Sequence, residues 1–288
     1  MREKHAFKFL PFYMLSALPM VFLYAISKVS YFVMYYIVGY RRFVVRENLR
    51  KAFPAKKEDE LVSIEKNFYR HFMDLIFEAL KGLTISKKKM QKRVKIKNLN
   101  IIDKIHQENK SVILYTAHYG NWEWLSILPE ILPYKVTTIY QPLSNGYFDQ
   151  LMRLIRGRFG VDCVESGRCY KTILQNKREN TPTIYIVVGD QSPTQHGSKL
   201  WVDFMKIQTA FLEGAERIAR KTEQVILYPS MKKSGKGAYE IEFKWIDDAV
   251  KSKTKAQIVS DYSQFLEKDI ETHPSLWLWS HRRWKLSV

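Results

Sequence analysis

Short runs rich in β-branched residues alternate with helical segments over much of the chain, and this alternation restricts the fold more than any other feature. The runs cover residues 111–117, 135–141, 183–191, 223–231 and 239–246. Helical periodicity is found over residues 122–130, 146–158, 209–221 and 254–272. This pattern is typical of an α/β protein whose sheet is at least partly parallel. We therefore predict a mixed, mostly parallel sheet flanked by helices.

Polar side chains follow three of the predicted strands at the point where each strand ends. His118 follows the first run, Gln141 and Asn145 follow the second, and Asp190 and Gln191 end the third. In open α/β sheets, ligands bind in the crevice at the carboxyl ends of the strands. If these strands are parallel neighbours, the three segments converge there, and we predict a site at that edge of the sheet.

The stretch HYGNWE, residues 118–123, places a histidine and a glutamate five positions apart. On a continuous helix the two side chains would point about 140° apart, so they approach only if Gly120 forms a turn before a helix beginning near Trp122. Glu123 could then accept the imidazole N–H, which makes His118 a candidate general base. A structural or surface histidine is the alternative, because a lone pair of this kind is a weak motif.

The N-terminal end contains an apolar and aromatic run over residues 7–40, interrupted by Pro11, Pro19 and Lys28. It is long enough to span a bilayer and longer than a usual core helix. We predict a membrane anchor, residues 1–42, followed by one domain, residues 43–288, whose first part (residues 44–93) is helical. A single tilted span, a helix pair lying in the interface and a buried soluble helix remain alternatives. The basic residues that follow the run place the domain on the cytoplasmic side.

The charge balance is strongly basic, with 47 Lys and Arg against 29 acidic residues and a formal net charge of +18. Such a surplus favours an anionic partner, which could be nucleic acid, an acidic protein or a negatively charged membrane face. Only two cysteines occur, Cys163 and Cys169, and their spacing matches no common zinc pattern. We interpret them as ordinary reduced thiols.

Several segments in order along nearly the whole chain resemble one protein family. The segments are HYGNWE (118–123), VRENLRKAFP (45–54), YQPLSNGYFDQLMRLIRGRFG (140–160), DQSP (190–193) and PSLWLWSHRRWK (274–285). Together they resemble the signature motifs of the late acyltransferases of lipid A biosynthesis, the lauroyl/myristoyl transferase family. The resemblance implies a glycerolipid acyltransferase-like fold and makes residues 43–288 an acyltransferase domain.

The resemblance also implies an activity and a set of site residues. Family members move a fatty acyl chain from acyl carrier protein to a hydroxyl of a lipid A precursor, at the cytoplasmic face of the inner membrane. His118 would be the base, Glu123 its dyad partner, Arg156 the functional arginine and Asp190 the acid of the D-Q turn. Further substrate-binding candidates are Asn121, Gln191 and Arg158. The resemblance requires no metal, nucleotide cofactor or nucleic-acid partner.

Two departures from the family pattern concern substrate choice. Gln141 stands where the family commonly has arginine, and residues 192–210 lack the usual glycine-rich character. An acceptor such as an aminoacyl lipid or a glycolipid therefore remains open. So does a membrane-bound thioester or ester hydrolase that uses the same dyad with water, and so does a non-enzymatic basic binding protein.

Overall fold

A seven-stranded mixed sheet forms the centre of the computed structural model, which describes residues 8–248 and 253–286. The first seven residues of the predicted anchor therefore lie outside the described residues. The strands of the main sheet are β1 (Val94–Ile96), β2 (Val112–Thr116), β3 (Lys135–Tyr140), β4 (Val161–Glu165), β5 (Thr183–Val188), β8 (Val225–Gly235) and β9 (Ala238–Asp247). A separate hairpin is formed by β6 (Lys199–Phe204) and β7 (Ile207–Leu212).

The spatial order of the sheet is β1-β9-β8-β2-β5-β3-β4, and most neighbours are parallel. β2 pairs in parallel with β5 and β8, and β3 pairs in parallel with β4 and β5. Only β8 and β9 are antiparallel neighbours within this sheet among the described residues. All residues of β2 are buried, because helices or loops cover both faces of this central strand. The predicted α/β fold with a mixed, mostly parallel sheet is confirmed.

Helices cover the sheet and extend from it toward the N-terminal end. They are α1 (Leu10–Ala17), α2 (Met20–Phe32), α3 (Arg42–Ala52), α4 (Glu58–Lys81), α5 (Lys87–Gln91), α6 (Leu99–Gln107), α7 (Gly146–Gly157), α8 (Cys169–Arg178), α9 (Ala215–Thr222) and α10 (Lys255–Thr272). A 3₁₀ helix, Trp122–Glu130, connects β2 to β3. It occupies the range predicted as helical from the sequence.

The prediction of a helix over residues 209–221 is wrong for the first half of this range. That half belongs to strand β7, and helix α9 begins only at Ala215, after Gly214. The hairpin that contains β7 turns at Met205 and Lys206, which both have positive φ angles of 53° and 61°. Turns of this type normally carry Asn or Gly, so the residues at this turn do not predict a hairpin.

The N-terminal apolar run forms two helices, α1 and α2, that are separated at Leu18 and Pro19. The second continues as a π-helical turn to Val38, and the nineteen residues of Met20–Val38 are long and apolar enough to cross a membrane. This helix is mostly exposed on its outer face. The exposed apolar side chains are Val21, Phe22, Val29, Phe32, Val33, Tyr36, Ile37 and Val38.

The inner face of α2 packs on α4 through polar contacts as well as apolar ones. The Tyr24 hydroxyl donates to Glu78 (2.9 Å), and the Ser27 hydroxyl donates to Asp74 (2.6 Å). The helical character predicted for residues 44–93 is present in α3, α4 and α5. Helix α4 also reaches the end of β2, so it lies between the apolar N-terminal helices and the predicted site.

Candidate active site

The turn after β2 depends on a glycine. Gly120 has a φ of +62°, a conformation that side chains disfavour, and a Cβ added there would lie 2.7 Å from the sulfur of Met231. Asn121 caps the 3₁₀ helix, since its side chain accepts a hydrogen bond from the Trp124 N–H. The chain therefore makes the sharp turn expected between His118 and Trp122.

The imidazole of His118 is held by Asp190 rather than by Glu123. His118 Nδ1 lies 2.7 Å from Asp190 Oδ1, and the His118 backbone N–H donates to Asp190 Oδ2 at 3.0 Å. The Trp277 indole N–H also donates to Oδ2, at 2.8 Å. Burial acts to raise the pKa of Asp190, but the charge of His118 and these hydrogen bonds outweigh it and lower the pKa overall. An ionised Asp190 fixes the proton on Nδ1 and leaves Nε2 as the basic nitrogen.

His118 Nε2 is directed toward the cavity at the carboxyl edge of the sheet, which His118 lines. The side-chain nitrogen of Gln191 lies 3.5 Å from Nε2, and the Trp122 ring meets the imidazole edge to face with centroids 5.0 Å apart. These contacts restrict the orientation of the ring while its outer nitrogen stays accessible. The geometry suits a general base that acts on a ligand in the cavity.

Glu123 forms a two-pronged ion pair with Arg156 in the wall of the same cavity. Arg156 Nε and Nη2 donate to the two carboxylate oxygens at 2.8 Å and 2.7 Å, and the Trp122 indole N–H donates at 3.0 Å. Burial acts to raise the pKa of Glu123, but Arg156 outweighs it and lowers the pKa overall. Burial acts to lower the pKa of Arg156, but the charge of Glu123 and its hydrogen bonds outweigh burial and raise this pKa overall. The carboxylate that was expected to hold His118 therefore holds the arginine, because the fork of Arg156 satisfies both of its oxygens.

The cavity has a volume of about 450 Å³, within the range of small-molecule sites. Its polar lining includes His118, Glu123, Arg156, Gln141 and Gln191, together with several Thr and Ser residues. Its apolar lining includes Leu125, Ile139, Pro142, Leu143, Met152, Val161, Ile186, Val187, Val188 and Leu212. The predicted convergence of three strand ends is present, since the lining comes from the segments after β2, β3 and β5.

Three predicted substrate-binding residues do not line this cavity: Asp190, which holds His118 from behind, and also Asn121 and Arg158. Asn121 is fully buried, and its amide nitrogen donates to Glu78 at 2.7 Å while its oxygen caps the helix. Arg158 points elsewhere, because its Nε donates to the carbonyl of Leu83 at 2.7 Å and its guanidinium lies over the ring of Phe159. The side chains of Asn121 and Arg158 are used in holding the structure.

A segment from the C-terminal part of the chain completes the turn, and its role was missed from the sequence. The Gly120 N–H donates to the Leu276 carbonyl, and the Leu278 N–H donates to the His118 carbonyl, both at 3.0 Å. Together with the Trp277 indole on Asp190, these contacts fix the backbone on both sides of His118. The Trp-rich sequence of this segment was a visible signal, but its contacts could not be assigned without the fold.

The two basic residues of the same segment have different surroundings. Arg283 is buried, with its guanidinium over the ring of Phe211 and a hydrogen bond to the Ala210 carbonyl at 2.7 Å. His281 Nε2 accepts the Ser192 N–H at 3.0 Å, and burial lowers its pKa to about 4. These contacts hold the chain that follows Asp190. Within the described residues, no three His, Cys, Asp or Glu side chains cluster as a metal site requires.

Comparisons with known proteins agree with the motifs. A family model described as "Bacterial lipid A biosynthesis acyltransferase" matches residues 9–286. The chain is similar to a lipid A biosynthesis acyltransferase of Haemophilus influenzae, with 24% identity over 204 residues, which are 70% of this chain and 63% of that protein. It is 23% identical over 235 residues to lipid A biosynthesis acyltransferase 2 of Shigella flexneri (81% of this chain, 74% of that protein).

The same relationship extends to a lipid A biosynthesis myristoyltransferase of Escherichia coli K12. The identity is 26% over 192 residues, which cover 63% of this chain and 56% of that protein. The matches therefore span little more than half to three quarters of these relatives' lengths, whereas the family model spans nearly the whole of this chain. The chain belongs to the bacterial lipid A biosynthesis acyltransferase family.

Proposed function

We propose that the protein transfers an acyl chain from the thioester of acyl carrier protein to a hydroxyl of a lipid A precursor. The observation that carries this proposal is the position of His118, with Nδ1 fixed by a buried carboxylate and Nε2 directed into a cavity that both polar and apolar side chains line. Family membership supports acyl transfer to lipid A as the chemistry.

The proposed reaction is a direct transfer without a covalent enzyme intermediate. His118 Nε2 takes the proton of the acceptor hydroxyl, and Asp190 stabilises the imidazolium through Nδ1. The hydroxyl oxygen forms a bond to the thioester carbonyl carbon, giving a tetrahedral intermediate. The carbon–sulfur bond then breaks, and the imidazolium returns its proton to the departing thiolate.

Arg156 is the cation available to the developing negative charge. Two of its nitrogens are bound by Glu123, and the pair lies in the cavity wall with the Arg156 side chain 22% exposed. The Glu123 carboxylate thus orients the guanidinium, whose Nη1 edge is the remaining donor for a thioester oxygen or a phosphate. We propose that Glu123 acts through this pair, in addition to its electrostatic influence on the nearby His118.

The apolar lining of the cavity is the proposed site of the donor acyl chain. Ile139, Leu143 and Met152 are among the apolar lining residues. Leu143 and Phe148 are also exposed at the surface, and Phe148 contacts Phe12 of α1 with ring centroids 6.3 Å apart. An apolar surface therefore continues from the cavity to the N-terminal helices, which suits substrates that arrive from a bilayer.

We further propose that the N-terminal helices lie in the membrane interface and do not cross the bilayer. Helix α2 runs along α4, and the contacts involve the charged residues Asp74 and Arg70 of α4. If α2 spanned the membrane in this arrangement, α4 would carry those charges into hydrocarbon, at a cost of about 2.5–3.5 kcal/mol for a charge at the bilayer centre. Lying in the interface buries the outer apolar face and leaves α4 on the aqueous side.

The net charge of +18 is consistent with both proposed partners. Acyl carrier protein is acidic, and a phosphorylated lipid acceptor is anionic, so a basic surface attracts each of them. The basic residues after α2 suit the anionic lipids of the cytoplasmic leaflet, so we propose the cytoplasmic face of the inner membrane as the location. Gln141 supplies a neutral donor and acceptor to the cavity, so an aminoacyl lipid or glycolipid is the second acceptor class to test.

The experiment is an acyl-transfer assay with membranes that contain the protein. Acyl-loaded carrier protein and a tetra-acylated lipid A precursor are supplied, and mass spectrometry measures the addition of one acyl chain. We expect this gain with the wild type and its loss in His118→Ala. Acylation of an aminoacyl lipid or glycolipid instead would refute the lipid A precursor as the acceptor. Thioester hydrolysis without acylation of any lipid would refute acyl transfer as the reaction.

A further inference from the structure

A buried carboxylate on α4 lies behind the turn of residues 118–121, which we call the catalytic turn. It receives hydrogen bonds from three separate parts of the chain. Glu78 Oε2 accepts from the amide of Asn121 (2.7 Å) and from the hydroxyl of Tyr239 (2.8 Å), and Oε1 accepts from the hydroxyl of Tyr24 (2.9 Å). Glu78 has no exposed surface. It does not line the cavity, so it has no access to substrate.

The contact with Asn121 has a direct effect on the turn. Asn121 follows Gly120, and its amide is held at both ends, by Glu78 at the nitrogen and by the Trp124 N–H at the oxygen. Rotation of this side chain would break both contacts. Glu78 therefore fixes the orientation of the residue that starts the 3₁₀ helix, three positions after His118.

A second side chain of the same helix holds the preceding residue. His71 lies two helical turns before Glu78, on the same face of α4, and its Nε2 lies 3.1 Å from the Gly120 carbonyl oxygen. Burial lowers the pKa of His71 to about 3, so the ring is neutral and donates from Nε2. Two consecutive residues of the turn, Gly120 and Asn121, are thus held by one face of one helix.

A need for stability alone would not favour a carboxylate at this place. Burying an ionisable group is costly, and apolar residues of similar volume often serve stability equally well or better. The carboxylate instead orients the side chains around it, because its oxygens accept hydrogen bonds from several donors at defined angles. One of those donors, Tyr24, belongs to the apolar helix α2, which is the helix proposed to contact the membrane.

We propose that Glu78 is a positioning residue that sets the geometry of the catalytic turn and links it to helix α2 through Tyr24. The proposal rests on the proposed function, since it assigns the catalytic rate to the placement of His118. A displacement of about 1 Å at a reacting group can lower a rate about a hundredfold. The link to α2 implies that the position of this helix affects turnover.

The test compares two substitutions of Glu78 that differ in the ability to accept a hydrogen bond. Glu78→Met has similar length and no strong acceptor, whereas Glu78→Gln can keep its oxygen toward Asn121 and turn its amide toward the Tyr24 hydroxyl, which can reverse and accept. We expect kcat to fall about tenfold to a hundredfold in Glu78→Met, with KM within about twofold of wild type. Glu78→Gln should stay within about threefold of wild type.

Asn121→Ser provides the same test if Glu78→Met does not fold. Serine keeps a cap for the Trp124 N–H but removes the donor to Glu78, so kcat should fall as in Glu78→Met. Wild-type kcat in a folded Glu78→Met or in Asn121→Ser would overturn the proposal. Equal losses in Glu78→Gln and Glu78→Met would also overturn it, because they would assign the effect to charge and not to geometry.

A matched pair tests the link to α2. Tyr24→Phe and Ser27→Ala each remove one hydrogen bond between α2 and α4, buried for Tyr24 and partly buried for Ser27, but only the Tyr24 contact reaches Glu78. We expect kcat on vesicles to fall about threefold or more in Tyr24→Phe and to stay unchanged in Ser27→Ala. Equal kcat in the two variants would refute the link, and a wild-type protein without transfer activity would refute the proposed function along with it.

Discussion

Asp190→Asn is the substitution whose effect the geometry of the site determines most directly. An asparagine here must place its oxygen and its NH₂ group at the two positions now held by carboxylate oxygens. The Oδ2 position receives two donors, the His118 N–H and the Trp277 indole N–H, whereas the Oδ1 position faces only His118 Nδ1. The oxygen will therefore occupy the Oδ2 position, and the NH₂ group will face the imidazole.

That orientation forces the wrong tautomer on His118. An NH₂ group donates to Nδ1, so the ring proton moves to Nε2 and the nitrogen that faces the cavity is no longer a base. General-base catalysis contributes about 10²–10⁴ in rate, and the corresponding substitution in a serine-protease triad lowers kcat by about 10⁴. We expect kcat to fall about 10³-fold in Asp190→Asn, with little change in KM because Asp190 does not line the cavity.

The assay is steady-state acyl transfer with acyl-loaded carrier protein, together with a thermal melt that confirms folding. Glu123→Gln is the matched control, because it also replaces a buried carboxylate by its amide but retains one hydrogen bond to Arg156. We expect a smaller kcat loss and a larger KM change in Glu123→Gln. A loss below about tenfold in Asp190→Asn, with the larger loss in Glu123→Gln, would refute the assignment of Asp190 as the partner of His118.

Three further predictions concern the turn, acid stability and membrane contact. Gly120→Ala should lower the free energy of unfolding by about 2 kcal/mol or more in denaturant melts, because of its positive φ and the clash with Met231; a smaller loss would refute the clash. His71 has a folded pKa of about 3, below its usual 6.5, so its contribution to stability is present above pH 6.5 and lost as the pH falls toward 3. His71→Gln should therefore flatten the pH dependence of unfolding between these values by up to about 1.4 kcal/mol per pH unit, and an unchanged slope would contradict this. Val29→Asp should reduce flotation with anionic vesicles about tenfold while Leu99→Asp, another exposed apolar position, leaves it unchanged; equal effects would argue against the α2 face.

The placement of the site could be predicted from the sequence because it depends on periodicity. Parallel strands bring their carboxyl ends to one edge, so the polar residues that follow β2, β3 and β5 had to converge. Which carboxylate reaches His118 was a different kind of question. Glu123 is five positions away in the sequence and Asp190 is 72, yet the fold brings the distant residue to 2.7 Å. Local spacing carries no information about such a contact.

The contacts that support the turn could not be predicted from the sequence pattern either. The helical periodicity of α4 does not distinguish Glu78 and His71 from its other polar residues. Their role follows only from the packing of α4 on the turn. The hairpin turn at Met205 and Lys206 lacks the residues that normally mark it. In each case the tertiary contacts outweighed the local preference.

The pairing of residues 276–278 with the catalytic turn has a consequence for biosynthesis. In chain order this segment comes after every strand of the main sheet, so the sheet can assemble while the backbone around His118 still lacks its partners. A nascent chain that has not yet released this segment would have a nearly complete sheet, but His118 would not yet be held in position. A chain that terminates before residue 276 would therefore contain the strands of the main sheet but lack the backbone hydrogen bonds that hold the turn around His118.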